Sequence, residues 1–278
     1  MTANPKVTLV TCKSMPNLFK GEEGLLDELA ARGCDPQIKV WNDPDVDWSE
    51  AGMVVVRSVS DYASDRPAFL EWTKQLRRVQ NSADVLNWNT DKHYLKELAA
   101  LGMPTIPTNW LEPEQNLSKH QIHTRFPAFG EFVVKPAVSS GVRDIGRYTT
   151  VDTRQRQAAM RQVQGLLGEG RSVMIQRYVE EIDLHGEISL VFFNGLVSHA
   201  VEKRSALHPA SVSDPYVHEA VVTAEAADSV AWKWGEEIRR VLHGYVRSRL
   251  GHDEQFLFNR VDLVPDGKGS FLVMEVSL

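Results

Sequence analysis

A chain of 278 residues, 42% hydrophobic and 24% charged, has the composition of a globular protein with room for two or three packed lobes. A net charge of −6 excludes the basic footprint of a general nucleic-acid binder. Two cysteines, Cys12 and Cys34, are too few for a disulfide scaffold or a zinc finger, so a reducing cytoplasmic setting is expected, with Cys12 a buried inert thiol. No signal-peptide core and no membrane-length apolar run occurs, so no membrane partner is expected.

The first elements alternate. Lys6 to Cys12 is an apolar strand, and Leu25, Leu26 and Leu29 recur at helical spacing between Gly21 and Gly33. Gln37 to Trp41 reads as a second strand. Met53 to Arg57 reads as a third, apolar enough to be buried on both faces. Pro67 opens a helix that runs to Val79. Strands alternating with helices predict a parallel α/β lobe over residues 1–87. Ligands of such sheets meet the carboxyl ends of the strands. Arg57 and Ser58, followed by Asp61 and Tyr62, are therefore candidates for a small polar substrate. Arg57 has the donor fork to grip a carboxylate; the competing arrangement is a surface Arg57–Asp61 pair.

Asp84 to Trp88 is expected to be a short strand leading out of this lobe. Asn89-Thr90-Asp91-Lys92 then opens a helix through Leu101, with Asn89 or Thr90 as its cap and Gly102 as its stop. An extended segment from Met103 to Thr108 and a helix from Leu117 to His123 follow. Glu131 to Tyr148 is a hairpin whose first strand delivers Lys135 and is stopped by Pro136. A cation at the end of an apolar strand is costly unless an anion meets it. The turn beyond, with Ser139, Ser140 and Gly141, offers hydroxyls and backbone N–H groups suited to phosphate oxygens, and Arg143 follows it. A helix from Asp152 to Leu167, a strand from Ser172 to Val179 and an acidic turn at Glu180 to Asp183 complete an α+β central lobe over 88–175.

Glu187 to Phe193 is a strand, and Asn194-Gly195 is the strongest hairpin signal in the chain. Leu196 to Arg204 returns as its partner, and Tyr216 to Val221 adds a strand. A long helix runs from Ala224 to Leu250; strands Phe256 to Val264 and Ser270 to Val276 close the sheet. This predicts an antiparallel, helix-covered lobe over 176–278. If the last two strands pair, Asp262 and Glu275 project to one face. Paired carboxylates suit Mg²⁺ shared with nucleotide phosphates. No Walker loop and no dinucleotide glycine fingerprint is present.

The order of these motifs resembles the ATP-grasp superfamily over nearly the whole chain. That resemblance implies a fold of α/β and α+β lobes, three in number, with ATP between the central and C-terminal ones. Residue by residue it implies that Lys92 and Lys135 contact ATP and that Ser139, Ser140 and Gly141 close over the phosphates. Gln176, Arg177, Tyr178 and Val179 match the hinge that holds adenine by its backbone. Glu187 matches the acid near the ribose, Lys203 and Arg204 the basic pair facing the phosphates, and Asp262 and Glu275 the magnesium ligands. Two features depart from the pattern. Ser277 stands where a further amide or acid ligand is usual, and the family continues beyond the strand at which this chain ends, Leu278, so a truncated last lobe is expected.

Within the superfamily, Val54 to Tyr62, Asn87 to Lys92, Lys135 to Asp144 and Asn259 to Leu263 look like the cyclo-ligases of D-cycloserine biosynthesis. The resemblance implies activation of the carboxylate of O-ureido-D-serine by ATP and Mg²⁺, with the tethered nitrogen closing the ring. Arg57 and Ser58 would hold this amino-acid-like substrate, and Arg143, Lys203 and Arg204 would stabilise the transferring phosphoryl group. The nine histidines show no metal or triad spacing, and His93 reads as structural. An intermolecular carboxylate–amine ligase and a non-catalytic nucleotide-binding module are the alternatives; a homodimer is the one protein assembly entertained.

Overall fold

The computed structural model describes residues 4–19, 21–22, 24–203, 207, 219–223 and 229–278. Three sheets succeed one another along the chain. The first is parallel, in the order β2-β1-β3-β4, from β1 (Lys6–Thr11), β2 (Asp35–Val40), β3 (Met53–Ser58) and β4 (Val79–Gln80). Helices α1 (Leu25–Ala31) and α2 (Arg66–Gln75) connect its strands. Asp65 caps α2 by accepting from the Ala68 N–H at 3.1 Å, and Pro67 occupies the first turn, where a missing N–H costs nothing. Phe69 and Trp72 of α2 pack with Trp41 and Val54 into one core. At Gly52, with φ +69, an added Cβ would lie 2.3 Å from the Lys6 carbonyl oxygen, so only glycine lets β3 start beside β1.

The expected strand at Asp84 to Trp88 is instead α3 (Ala83–Asn89). The Ser82 side chain accepts from the Val85 N–H, and Val85, Leu86 and Trp88 turn inward. Three apolar residues in a five-residue stretch do not distinguish strand from helix by period, and here the serine cap decides. Helix α4 (Tyr94–Ala100) begins later than expected, and neither Asn89 nor Thr90 caps it. The Asn89 amide reaches β13 instead: it donates to the Val276 carbonyl and accepts from the Leu278 N–H, at 2.9 and 2.8 Å.

The second sheet is antiparallel, ordered β5-β8-β6-β7 from β5 (Thr108–Leu111), β6 (Glu131–Pro136), β7 (Gly146–Thr149) and β8 (Val173–Arg177). Short α5 (Lys119–His123) carries a Ser118–Gln121 capping box, and α6 (Thr153–Gly168) is capped by Asp152. Ala159, Val163 and Leu166 of α6 cover Phe132, Val134, Val173 and Ile175.

The third sheet, ordered β11-β10-β9-β12-β13, contains β9 (Glu187–Phe193), β10 (Leu196–Lys203), β11 (Glu219–Thr223), β12 (Phe258–Pro265) and β13 (Phe271–Ser277). The change of sheet falls between Arg177 and Glu187. The acidic turn expected there is the one-turn helix α7 (Glu181–His185). Asn194 and Gly195 both take positive φ, 51 and 77, as the primed turn of a tight hairpin requires. Helix α8 (Ser229–Leu250) lays Ile238, Leu242 and Val246 against Leu190, Val261 and Val273. Each fully buried aliphatic side chain here contributes roughly 1.5–3 kcal/mol. Gly235 allows the close approach: a Cβ there would sit 2.5 Å from a Leu190 methyl.

Candidate active site

Lys135 leaves β6 into the space between the second and third sheets. It is 8% exposed, and among the described residues nothing accepts a hydrogen bond from its ammonium or pairs with it. Burial, reinforced by the nearby Lys92 charge, lowers it to about 8, while Glu275 and Glu187 oppose the drop. Lys92 stands beside it, also buried. Its ammonium donates to the Ser139 carbonyl at 3.0 Å and the Ser139 hydroxyl at 3.1 Å, and lies 3.4 Å from Glu275. Its backbone N–H donates to the Ala137 carbonyl at 3.0 Å. The loop after β6 is thus gripped at its root by the residue expected to share its ligand.

The same loop touches the first lobe. The Tyr62 hydroxyl donates to the Ser139 carbonyl at 3.1 Å, and Arg143 donates to the Ser64 hydroxyl at 2.5 Å. Gly141, with φ +63, and the preceding Ser140 form the loop tip; Gly141 is exposed, Ser140 half-buried. Arg143, expected at the reacting phosphoryl group, rests here on the first lobe.

At the hinge the Gln176 and Arg177 side chains are engaged within the central lobe. Gln176 donates to the Thr108 hydroxyl at 2.8 Å, and Arg177 lies over the Phe129 ring at 4.5 Å. The Tyr178 N–H donates to the Glu131 carbonyl, its ring lies 3.6 Å beneath the Arg147 guanidinium, and its hydroxyl donates to Asp183 at 2.5 Å. Tyr178 and Val179 join Ile106 and Val133 of the second sheet's side with Val264, Leu272 and Met274 of the third. This apolar seam between lobes suits a flat ring.

Across the cleft, Asp262 and Glu275 are direct cross-strand partners. The register slips just beyond them: Leu263 pairs with Val273, leaving Met274 extra. The bulge lets Val273 and Val276 both enter the α8 core while Met274 joins the hinge seam and Glu275 faces Lys92. Asp262 is 1% exposed and accepts from Ser189 at 2.6 Å and from both Arg260 Nε and Nη2 at 2.9 Å. Burial alone would raise its carboxyl, but Arg260 and Lys203 outweigh burial and hold it low. Glu187, opposite Lys203 on β10, is the contrary case. Its Oε2 is buried without a partner among the described residues, and burial pushes it up to about 7.

Arg260 is the residue sequence reading missed. Strand alternation puts residues two apart on one face, so Arg260 was bound to accompany Asp262. Its charge is sustained by Asp262, with Glu275 and Glu187 adding to the effect. The donor set fits magnesium. Two carboxylates face one another, and among the described residues no third His, Cys, Asp or Glu completes a protein-only cage. Magnesium held by one or two carboxylates takes its other ligands from phosphates and water. Ser277 ends β13 two residues beyond Glu275, opposite Arg260.

Arg57 and Ser58 converge as expected at the end of β3, but on a protein carboxylate. Arg57 forms an ion pair with Glu22, and the Ser58 hydroxyl donates to Glu22 at 2.8 Å while accepting from the Phe19 N–H at 2.8 Å. The Arg57–Asp61 pair does not form; Asp61 accepts from the Trp41 indole at 2.8 Å. Arg57 lies 5.1 Å over the Phe258 ring, and its Nε is buried without a partner among the described residues. Lys203 ends β10 close enough to act on both Glu187 and Asp262; Arg204 lies outside the described residues. Cys12 is fully buried, as expected. Burial pushes its thiol up, but hydrogen bonding with Ser14 and Ser60 leaves it below the ordinary value.

Residues 7–87 match the family model of the D-cycloserine synthetase DcsG N-terminal domain. The chain is 33% identical over 262 residues to the cycloserine biosynthesis protein DcsG of Streptomyces lavendulae, covering 91% of this chain and 84% of that protein. The crystal structure of D-cycloserine synthetase DcsG superposes with a TM-score of 0.81 at 32% identity, covering 98% of this chain and 91% of that one. A D-alanine–D-alanine ligase from Bacillus anthracis, solved with ATP, shares the fold at a TM-score of 0.59 and 15% identity, covering 98% and 85% of the two chains. The three lobes, the cleft between the last two and the relationship to DcsG along almost the whole length agree: the chain belongs to the D-cycloserine synthetase family of ATP-grasp ligases.

Proposed function

We propose that the chain is an ATP-dependent cyclo-ligase acting on O-ureido-D-serine. The observation that carries this reading is the buried Lys135, without a partner among the described residues, which lies within electrostatic reach of Lys92, Glu187 and Glu275, the last paired across strands with Asp262. One half of the cleft lacks an anion and the other can hold a cation, the two needs that a magnesium nucleotide meets together. Adenine lies against the hinge backbone at 176–179, and Glu187 receives the ribose. Lys92, Lys135 and the Ser139-Ser140-Gly141 turn hold the phosphates. Magnesium, held by Asp262 and Glu275, supplies charge neutralisation at the phosphates.

The substrate carboxylate attacks the γ-phosphorus, and the bond to the β,γ-bridging oxygen breaks to give an acyl phosphate and ADP. Arg260, Lys203, Arg204 and Arg143 supply positive charge around that group, where charge stabilisation is the main contribution of a protein. The nitrogen bonded to the side-chain oxygen then attacks the acyl carbon, expels phosphate and closes a five-membered ring. Water removes the carbamoyl group as carbon dioxide and ammonia. Tethering supplies an effective molarity of ~10⁵ M or more to a well-oriented nucleophile. Arg57 and Ser58 orient the substrate in exchange for their contacts with Glu22. The lobes are divided near 87 and 175.

Mass spectrometry of a reaction containing ATP, Mg²⁺ and O-ureido-D-serine tests the proposal. D-cycloserine and ADP are expected in equal amounts with no added amine. ADP formation only when a second amine is supplied would instead make the chain an intermolecular ligase.

A further inference from the structure

One cluster beside the site is unused by the chemistry above. His93 follows Lys92 directly. Its Nδ1 lies 2.6 Å from Asp91 Oδ1 and its Nε2 lies 3.1 Å from Glu112 Oε1. The ring is stacked on Trp110 at 4.5 Å. A neutral imidazole has one N–H, and its bare nitrogen would face a carboxylate lone pair. Only the imidazolium donates at both ends.

The elements around it fix what it joins. Asp91 also accepts from the His93 backbone N–H at 3.1 Å, which closes the turn carrying Lys92. Glu112 follows β5 in the second sheet and is bonded by Ser172, at the start of the β8 segment. His93 therefore pins the Lys92 turn to the central lobe. The other charged groups nearby are Lys96, which donates to Glu112 at 3.0 Å and lies over Trp110 at 4.6 Å, and Arg66, which acts on Asp91 from α2. Glu112 is held down to about 2 despite its burial, by Ser172, His93 and Lys96. His93 is raised above its ordinary value, chiefly by the bond to Asp91.

We propose that His93, as an imidazolium clamped between Asp91 and Glu112, is a positioning residue for Lys92 and sets the grip of the enzyme on ATP. The inference rests on Lys92 being a phosphate contact. It gives the nucleotide site a proton-dependent anchor outside its contact shell. The anchor is complete below the ordinary histidine range and is lost as pH rises through the raised value. Nucleotide affinity falls in that same window.

The test is the Kd for Mg·AMP-PNP from about pH 6 to about pH 9 in the wild type, His93→Gln, Glu112→Gln and Lys92→Met. The wild type is expected to bind less tightly across the window. His93→Gln should bind about tenfold less tightly at the acid end and lose that limb of the profile. Its kcat at saturating ATP should stay within about twofold. Glu112→Gln keeps the ring but removes one carboxylate, so the limb should move to lower pH. This variant also decides the matter if His93→Gln fails to fold. By reciprocity, Mg·AMP-PNP should raise the His93 titration midpoint read from its ring proton resonance. If Lys92→Met weakens binding while His93→Gln and Glu112→Gln keep wild-type affinity and slope, the positioning role is overturned alone. If Lys92→Met leaves the Kd unchanged, Lys92 is not a phosphate contact and both fall.

Discussion

Two hairpins face each other across the cleft, and they treat charge in opposite ways. In β6–β7, Lys135 is buried with no partner among the described residues. In β12–β13, Asp262 is buried more deeply still, at 1% exposed against 8%, but accepts bonds from Arg260 and Ser189. An unpaired buried charge costs stability in the free protein, whereas pairing offsets much of that desolvation cost and makes loss of one partner destabilising. The central lobe therefore stores its binding energy as an unmet need. The C-terminal lobe is organised before any ligand arrives.

Lys135→Met gives the sharpest break. Loss of the phosphate contact should lower kcat/KM for ATP at least ~1000-fold. Because the removed charge has no partner among the described residues, Tm of the ligand-free protein should rise, by about 2–4 °C for each kcal/mol gained. A fall in Tm would show that Lys135 is satisfied from within the protein and would erase the contrast. Arg260→Ala does the reverse. It strands Asp262 and should cost about 3–5 kcal/mol in urea unfolding, together with a large loss of kcat. Arg260→Lys, which cannot bond bidentately, should recover stability more than rate.

Smaller effects sharpen the picture. Tyr94 is fully buried, and its hydroxyl donates to the Val276 carbonyl at 3.0 Å and accepts from the Val276 N–H at 2.9 Å. Tyr94→Phe should cost about 1–3 kcal/mol and weaken Mg²⁺ affinity through the looser β13. Glu187 departs from the pattern of its own lobe, with one oxygen that has no partner among the described residues and a carboxyl pushed by burial from its ordinary 4.5 up to about 7. The native state keeps that proton where the unfolded chain has lost it, so its contribution to stability falls as pH rises from about 4.5 to about 7. Glu187→Gln should remove that slope in the ligand-free protein, a difference on the order of 3 kcal/mol at neutral pH.

Lys135 and the Asp262–Glu275 pair were legible in the sequence because strand alternation and hairpin pairing are short-range rules that put a side chain on a known face. The three-lobe order was legible for the same reason, since turns and apolar periods mark it locally. Glu22 was not: it meets Arg57 and Ser58 from a loop more than thirty positions away, and nothing in either segment encodes the meeting. The α3 helix was misread because a few apolar residues fit both periods until the Ser82 cap is weighed. His93 read as structural because its neighbour Glu112 belongs to another element, so the pair of carboxylates around the ring exists only in the fold.

The extra residue at Met274 makes β13 a strand with two phases. Upstream of it, inward positions fall on one parity of the numbering; downstream, on the other. Regular pairing through this stretch, with every residue kept, would bring the two phases into conflict. Either Val276 would leave the core or Glu275 would enter it. The bulge therefore lets one short strand serve two faces, the α8 core through Val273 and Val276 and the cleft through Glu275, which unbroken alternation could not do with these residues in this order.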